Sequence, residues 1–279
     1  MVKRVLLGIG GTPFTSVAVQ RAVELCRLHE AQLTAVTVVD ENRLSRVGSV
    51  PAGAGSAADG LREHRRTVTR ELIEETVESL KAACEESKVQ VAIHREQGEP
   101  FQLMVDYARY HDVSVFGLRS MFECDILGSS GGQPADILSQ MVIGGVRPII
   151  AVSERFRSIR RVLIAYGGSV RAAETMKQFV RLDLWPDVTL RLLACGNGDT
   201  NADRLLNDAF IYCRQHGHEP ELNYRRGSPR KEILAEAHEW DADLIVLGTS
   251  RRGVLPRAIF GSTALHVIRN ADRPLFLGR

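Results

Sequence analysis

Asp243-Leu-Ile-Val-Leu-Gly248-Thr-Ser-Arg251, followed after nine further residues by Gly261-Ser262-Thr263, is the stretch that decides the fold of this chain. Its continuous apolar run predicts a short buried strand, and the glycine that ends the run predicts a loop. The Gly-Ser pair then opens a helix. A strand that leads through a glycine loop into a helix start presents bare backbone N–H groups, which suit an anion such as a phosphate. The stretch therefore predicts an α/β architecture with an anion-binding loop.

The opening of the chain is repeated in its second half. Lys3-Arg-Val-Leu-Leu-Gly-Ile-Gly10-Gly-Thr12 matches Arg160-Arg-Val-Leu-Ile-Ala-Tyr-Gly167-Gly-Ser169. Each segment is a basic pair, an apolar strand, a Gly-Gly turn and a hydroxyl residue suited to cap a helix. Neither completes a GxGxxG or a GxxxxGK[ST] phosphate loop, so the glycines are interpreted as tight strand-to-helix turns.

The later parts of the two halves also match. Asp112-Val-Ser-Val-Phe-Gly117 corresponds to the stretch that ends at Gly248, and Val146-Arg-Pro148 corresponds to Asp272-Arg-Pro274 before a closing strand. Each repeat reads as five strands with alternating helices, and continuously apolar strands are typical of a parallel sheet covered on both faces. We therefore predict two tandem Rossmann-like domains, 1–155 and 156–279, each with a five-stranded parallel sheet and helices on both faces.

The first repeat is longer than the second between the opening strand and the glycine that ends strand four. The extra residues fit the segment 41–66, which contains a glycine-rich loop over residues 48–60 and leads into a long helix. Two interpretations are open for this loop, a lid and a flexible, disordered connection, and we favour the second. The helix carries an apolar stripe that includes Ile73, Val77 and Leu80, which predicts a core-facing surface.

Composition excludes several classes of protein. The 36 basic residues are nearly balanced by 34 acidic ones, giving a net charge of +2, which is not typical of a nucleic-acid-binding protein. The apolar runs are shorter than the ~20 residues of a membrane span, and no signal peptide is recognisable. We therefore expect a cytoplasmic protein.

Five cysteines without a CxxC pair predict reduced thiols, and His216-Gly-His218 is interpreted as a polar helix end, not a metal site.

Motifs of catalysis are missing from the sequence. It contains no HExxH and no Walker lysine, and Gly128-Ser-Ser-Gly-Gly132, which fits the GxSxG spacing, is interpreted as a flexible glycine-rich loop and not as a nucleophile elbow. We therefore predict that the protein is not an enzyme.

With both repeats laid out, the chain resembles the universal stress protein family in its tandem-domain form, over essentially its whole length. The nucleotide-binding members of that family carry Gly, two residues, Gly, nine residues, Gly and then Ser or Thr. Here Gly248, Arg251, Gly261 and Ser262 occupy those four places. The resemblance implies that this loop wraps the phosphates and ribose of ATP, with Mg²⁺ only as a counter-ion of the nucleotide. The helix start from Gly261 to Thr263 would offer N–H groups and a hydroxyl to the phosphates.

The rest of the implied nucleotide site lies at strand ends of the second repeat. Family members that bind nucleotide usually carry Asp at the end of the first strand, where it contacts the adenosine; here that place is Gly167, and Gly10 in the first repeat. Cys195 falls where the family places a residue lining the base pocket. The predicted nucleotide-binding set is Ala165, Tyr166, Gly167, Cys195, Leu247, Gly248, Arg251, Gly261, Ser262 and Thr263.

The first repeat departs further from the pattern. Ala135 and Asp136 stand where the second repeat has Gly261 and Ser262, and a carboxylate at a helix entrance repels phosphate. We therefore expect the first repeat not to bind ATP in the family manner. In the second repeat, Arg251 is open to two interpretations, phosphate contact or a solvated loop.

Three functional hypotheses follow. The first is a stress-response protein that binds an adenine nucleotide in its second domain as a regulatory ligand. The second is a nucleotide-independent interaction module of the same fold, and the third is a slow ATPase. Because the closing strand of the family often pairs across a dimer interface, residues 149–152 and 275–277 are expected to pair within one chain, and a further homodimer stays open.

Overall fold

The computed structural model of the chain describes residues 1–10, 14–39, 55–118, 138, 141, 144–146, 148–196, 202–248 and 262–278. The strands within these residues are β1 (Arg4–Ile9), β2 (Gln32–Val39), β3 (Val91–Gln97), β4 (Val113–Gly117), β5 (Ile149–Val152), β6 (Arg161–Ala165), β7 (Thr189–Gly196), β8 (Glu221–Arg226), β9 (Leu244–Gly248) and β10 (Leu275–Gly278). The helices are α1 (Thr15–His29), α2 (Gly55–Ser87), α3 (Pro100–Ala108), α4 (Val170–Leu182), α5 (Ala202–Gln215), α6 (Pro229–Glu239) and α7 (Ser262–Asn270).

The strands form one sheet in the order β3-β2-β1-β4-β5-β10-β9-β6-β7-β8. Within each half every neighbouring pair is parallel, and the two halves repeat the same internal order. This confirms the predicted α/β fold with two tandem Rossmann-like units. The two five-stranded sheets are continuous with each other, through the two closing strands that the family resemblance led us to expect to pair within one chain.

The halves meet through β5 and β10, which pair antiparallel. Phe276 is in register with Ile150, and both residues are fully buried. Because this single pair is antiparallel while all others are parallel, the strands of the two halves run in opposite directions. The carboxyl ends of β1 and β4 therefore lie at one edge of the sheet, and those of β6 and β9 lie at the other.

The helix starts differ between the two repeats. In the second half, the Ser169 hydroxyl accepts a hydrogen bond from the N–H of Ala172 at 3.1 Å, which confirms the predicted cap of α4. In the first half, the N-cap position of α1 is Phe14, which makes no side-chain cap bond. The helix therefore starts later than the predicted cap at Thr12, a residue outside the described ranges.

The long helix α2 begins earlier than the sequence predicted. The sequence predicts a loop over the glycine-rich segment 48–60, but its last six residues, from Gly55 onward, are helical. Alanine is the strongest helix former, and Asp59 pairs with Arg62 one turn along the helix, so this stretch gains local stability in spite of its glycines. Residues 48–54 lie outside the described ranges.

A buried arginine joins the two halves away from the strand pair. The Arg21 side chain of α1 is fully buried and donates to the carboxylate of Glu24 and to the backbone carbonyl of Arg157. Its guanidinium carbon lies 4.6 Å from the ring centroid of Phe156 and 5.3 Å from that of Trp185. Burial lowers the pKa of Arg21, while the neighbouring Glu24 carboxylate opposes that shift. Helix α1 is thereby held against the segment that follows α4 in the second half.

Candidate functional site

The predicted site residues gather at the carboxyl edge of the second half. β6 lies between β7 and β9 in the sheet. The chain leaves β6 towards β7 and leaves β9 towards β10, so these two connections run in opposite directions along the sheet. Such a reversal opens a crevice where ligands of parallel α/β proteins bind. Ala165 of β6 is in register with Leu247 of β9, directly at this crevice. The structure therefore brings the strand-end part of the predicted set together.

Position 248 requires glycine because the backbones of β9 and α4 approach each other closely there. A Cβ placed on it would lie 2.9 Å from the Cα of Ala172 and 3.2 Å from the carbonyl oxygen of Arg171. Both atoms belong to the first turn of α4, so no side chain could move aside. The end of β9 and the start of α4 are thus in direct contact, and this packing alone accounts for a glycine at position 248.

Gly167 has the opposite surroundings. A Cβ placed there would meet no heavy atom within 4 Å, and the residue is exposed. Its neighbour Gly168 has φ of +69°, a conformation that favours glycine, and a Cβ on Gly168 would lie 2.8 Å from a methyl group of Leu205. The turn therefore has one position that demands glycine and one that leaves room for a side chain.

Tyr166 and Cys195 both contribute uncharged groups to the region. Burial raises the pKa of the Tyr166 phenol, and Asp208, on α5, adds to the effect. The backbone N–H of Tyr166 is already donated to the carbonyl of Leu193 at 2.8 Å. Burial raises the pKa of the half-buried Cys195 thiol to about 11, so this thiol is neutral at physiological pH.

The helix start beyond the loop is open to an anion. Ser262 is exposed, Thr263 is half-buried, and both lie in the first turn of the nine-residue helix α7, which contains no acidic residue. Backbone N–H groups at such a helix start favour negative charge. Arg251 and Gly261, together with Arg252 and Arg257, lie outside the described residues. The part of the site that is described therefore fits the phosphate-bearing ligand implied by the sequence.

The first half differs at the equivalent strand positions, Gly8 and Phe116. A Cβ on Gly8 of β1 would lie 2.5 Å from the ring of Phe116, so the aromatic ring packs directly on the strand. The Thr15 hydroxyl donates to the carbonyl of Gly10 at the end of β1. The predicted departures at Ala135 and Asp136 lie outside the described residues.

An ion-pair network behind Cys195 was not predicted from the sequence. Arg225 of β8 pairs with three carboxylates of α6, those of Glu232 at 2.9 Å, Glu236 at 2.9 Å and Glu239 at 2.7 Å. Burial disfavours the charged form of Glu236, but hydrogen bonds from Arg225 and Arg191 outweigh it and lower its pKa. The spacing of the three glutamates on one helix face was the signal available in the sequence. The network fixes α6 against β7 and β8.

Two further properties follow from the described residues. Within these ranges, no three His, Cys, Asp or Glu side chains gather in a way that could hold a metal ion. None of the described helices has the length and apolar character that crossing a membrane requires.

Comparison with known proteins gives a consistent result. The family model described as the universal stress protein family matches residues 1–115 and 196–278. Among curated proteins, the universal stress protein Slr1230 of Synechocystis sp. is 23% identical over 171 residues, which cover 58% of this chain and 60% of that protein. The chain thus spans about three fifths of the length of this relative.

Solved structures share the fold over nearly the whole chain. A universal stress protein from Archaeoglobus fulgidus DSM 4304 has a TM-score of 0.68 at 19% identity, with 99% of this chain and 96% of that chain covered. A Pseudomonas aeruginosa UCBPP-PA14 protein, provisionally named a universal stress protein, has a TM-score of 0.62 at 13% identity, with coverage of 99% and 93%. At these identities the likeness concerns the fold. Together with the match of the family model to most of the sequence, it shows that the chain belongs to the universal stress protein family and carries two domains of that family.

Proposed function

We propose that this protein is a stress-response protein that binds ATP or another adenine nucleotide in its second domain, as a regulatory ligand and not as a substrate. The observation that supports this proposal most strongly is the crevice between β6 and β9. There the end of β9 at Gly248 touches the first turn of α4, and α7 begins at Ser262 without an acidic residue. A crevice at a strand-order reversal, flanked by helix starts, suits a phosphate-bearing ligand.

The proposal includes the organisation of the chain. We assign the first domain to residues 1–155 and the second to 156–279, and we place the protein in the cytoplasm. The antiparallel pair of β5 and β10 makes the chain a pseudo-dimer in which one domain keeps the nucleotide site. Mg²⁺ enters only as the counter-ion of the nucleotide. A homodimer of whole chains is compatible with this arrangement.

The nucleotide-independent module is the second candidate, and a specific observation favours it. Gly167 leaves the end of β6 without the carboxylate that nucleotide-binding relatives present to the adenosine. A slow ATPase is the third candidate. It requires a base or a metal carboxylate beside the phosphates, and the described part of the crevice contains neither.

Calorimetric titration of the full chain with ATP tests the proposal, with Ser262→Asp as the variant. An acidic residue in the first turn of a helix stabilises the helix but repels phosphate, so the fold is kept while binding is lost. Ser262→Asn is the matched neutral control and should retain most of the binding. If the wild-type protein shows no heat of binding at millimolar ATP, the interaction module is the better description.

A further inference from the structure

A cavity of about 220 Å³ lies where the two halves of the chain meet. Because β5 and β10 are antiparallel, with Ala151 in register with Leu275, the residues that follow β5 and those that precede β10 lie at the same edge of the sheet. The cavity is lined by Phe14 and Leu118 of the first half, Ala271 and Asp272 of the second half, and residues 153–155 and 157 of the segment that joins the halves. This seam cavity is at the opposite edge of the sheet from the crevice between β6 and β9.

Part of the lining of the seam cavity is apolar. The side chains of Phe14, Leu118 and Ala271 are all buried. An apolar cavity of about 150 Å³ holds benzene, so by volume the seam cavity suits a ligand of about nine non-hydrogen atoms. The size and this lining favour a small molecule with an apolar body.

The joining segment is held in place by contacts on both sides of the cavity. Ser153 is buried, and its hydroxyl donates to the carbonyl of Arg155 at 3.1 Å. The carbonyl of Arg157 accepts a hydrogen bond from the buried Arg21, and the Arg157 guanidinium lies 3.5 Å from the carboxylate of Asp241. The walls therefore need little rearrangement to bind a ligand, which lowers the entropic cost of binding.

Two side chains of opposite charge in these walls are not engaged by the protein. Glu154 and Arg155 both line the cavity, are exposed, and form no ion pair or side-chain hydrogen bond with the part of the chain that the structure describes. The other two charged groups of the lining are paired, Arg157 with Asp241 and Asp272 with Arg273 at 2.7 Å. A ligand in the cavity therefore meets one uncompensated cation and one uncompensated anion beside an apolar surface.

We propose that the seam cavity binds a small zwitterion of the α-amino acid type with an apolar side chain. The planar guanidinium of Arg155 binds the carboxylate of the ligand, and the carboxylate of Glu154 accepts hydrogen bonds from its ammonium group. The apolar side chain of the ligand packs against Phe14 and Leu118. Because the walls come from both halves, the ligand contacts both halves at once and stabilises the folded chain.

Calorimetric titration of the full chain with leucine, which has the size that the cavity suits, tests this inference. Two analogues keep the apolar body and remove one charge each: 4-methylpentanoate lacks the ammonium group, and leucinamide lacks the carboxylate. We expect each analogue to bind at least about tenfold more weakly than leucine, since each loses one charge-assisted contact.

Variants of the two unpaired residues assign the contacts. Arg155→Gln should weaken leucine binding at least about tenfold and leave the affinity for leucinamide unchanged, because leucinamide has no carboxylate to lose. Glu154→Gln should weaken leucine binding similarly and leave the affinity for 4-methylpentanoate unchanged. Arg160→Gln is the matched control, since Arg160 is an exposed arginine of the same segment outside the lining of the cavity. Circular dichroism establishes that each variant is folded.

Absence of leucine binding at millimolar concentration would overturn this inference. Leucinamide or 4-methylpentanoate binding as tightly as leucine would also overturn it, as would equal losses in Arg155→Gln and Arg160→Gln. These titrations contain no nucleotide, so their outcome is independent of the nucleotide site proposed above.

Discussion

The carboxylate of Asp243 accepts two hydrogen bonds at the start of β6, from the backbone N–H of Arg161 at 2.9 Å and from that of Arg160 at 3.0 Å. Asp112 does the same at the start of β1, with Lys3 at 2.7 Å and Arg4 at 2.9 Å. In each half the residue that precedes strand four thus ties down the residues that open strand one. The two sequence repeats therefore share the same hydrogen-bonding pattern at the start of their first strands.

We expect Asp243→Ala to lower the free energy of unfolding by about 1–2 kcal/mol, since two charge-assisted bonds at a partly exposed position are lost. Asp112→Ala should cost a similar amount. Urea unfolding followed by circular dichroism measures both. Unchanged unfolding midpoints would show that water replaces the carboxylates at no cost.

Two glycines at the crevice should respond differently to a methyl group. Gly248→Ala forces a Cβ against the backbone of Ala172 and should destabilise the protein by about 1–3 kcal/mol. Gly167→Ala enters open space and should change the unfolding free energy by no more than about 0.5 kcal/mol. Thermal unfolding of the two variants side by side checks this difference, and equal effects would mean that β9 and α4 are not in contact.

The open space at Gly167 also permits a gain-of-function variant. Gly167→Asp places a carboxylate where the family resemblance implies one in nucleotide-binding members, so adenosine should bind about tenfold more tightly than to the wild-type protein. Gly167→Asn has the same shape without the charge and should show a smaller gain. Titration with adenosine measures both. If Gly167→Asp does not change the affinity for adenosine, the adenosine binds away from position 167.

His111 should make stability depend on pH. Its Nδ1 lies 2.6 Å from the carbonyl oxygen of Tyr107, which can only accept, so Nδ1 donates, and Nε2 is buried without a hydrogen-bond partner among the described residues. Burial lowers the pKa of His111, with Arg4 and His94 adding to the shift while the Tyr107 carbonyl and Asp112 oppose it. The folded protein therefore favours the neutral ring.

The sign of the pH effect follows from that lowered pKa. His111 contributes full stability above the unfolded-state pKa of about 6.5, and that contribution is lost as pH falls from there towards the folded-state value. His111→Asn retains a donor near the Nδ1 position and does not titrate. The free energy of unfolding should fall less between pH 7 and pH 5 in His111→Asn than in the wild-type protein. If the free energy of unfolding falls equally with pH in both proteins, groups other than His111 cause the acid sensitivity.

The sequence predicted the fold well because the informative signals were local. Continuous apolar runs ending at Gly117 and Gly248 defined buried strands, and the matching Gly-Gly turns revealed the repeat. The sequence pattern does not reveal the helical start of α2 at Gly55, because the glycines of this segment outweigh its alanines. The continuity of the sheet through Ile150 and Phe276 depends on long-range pairing, which was expected from the family resemblance and not from any local pattern.

The candidate site was predicted less completely for a physical reason. Strand ends such as Leu247 follow from local patterns, and the structure places them together. The packing of the Phe116 ring on Gly8, and of the first turn of α4 on Gly248, depends on which groups meet across neighbouring elements of the fold. Such contacts are set by tertiary packing and are visible only in the structure.

The central claim, that one nucleotide binds per chain and binds in the second domain, is tested most directly by the stoichiometry of ATP binding. Native mass spectrometry of the full chain at saturating ATP, compared with Ser262→Asp, measures it. We predict one nucleotide per chain in the wild-type protein and none in the variant. Two nucleotides per chain, or one that persists in Ser262→Asp, would contradict the claim.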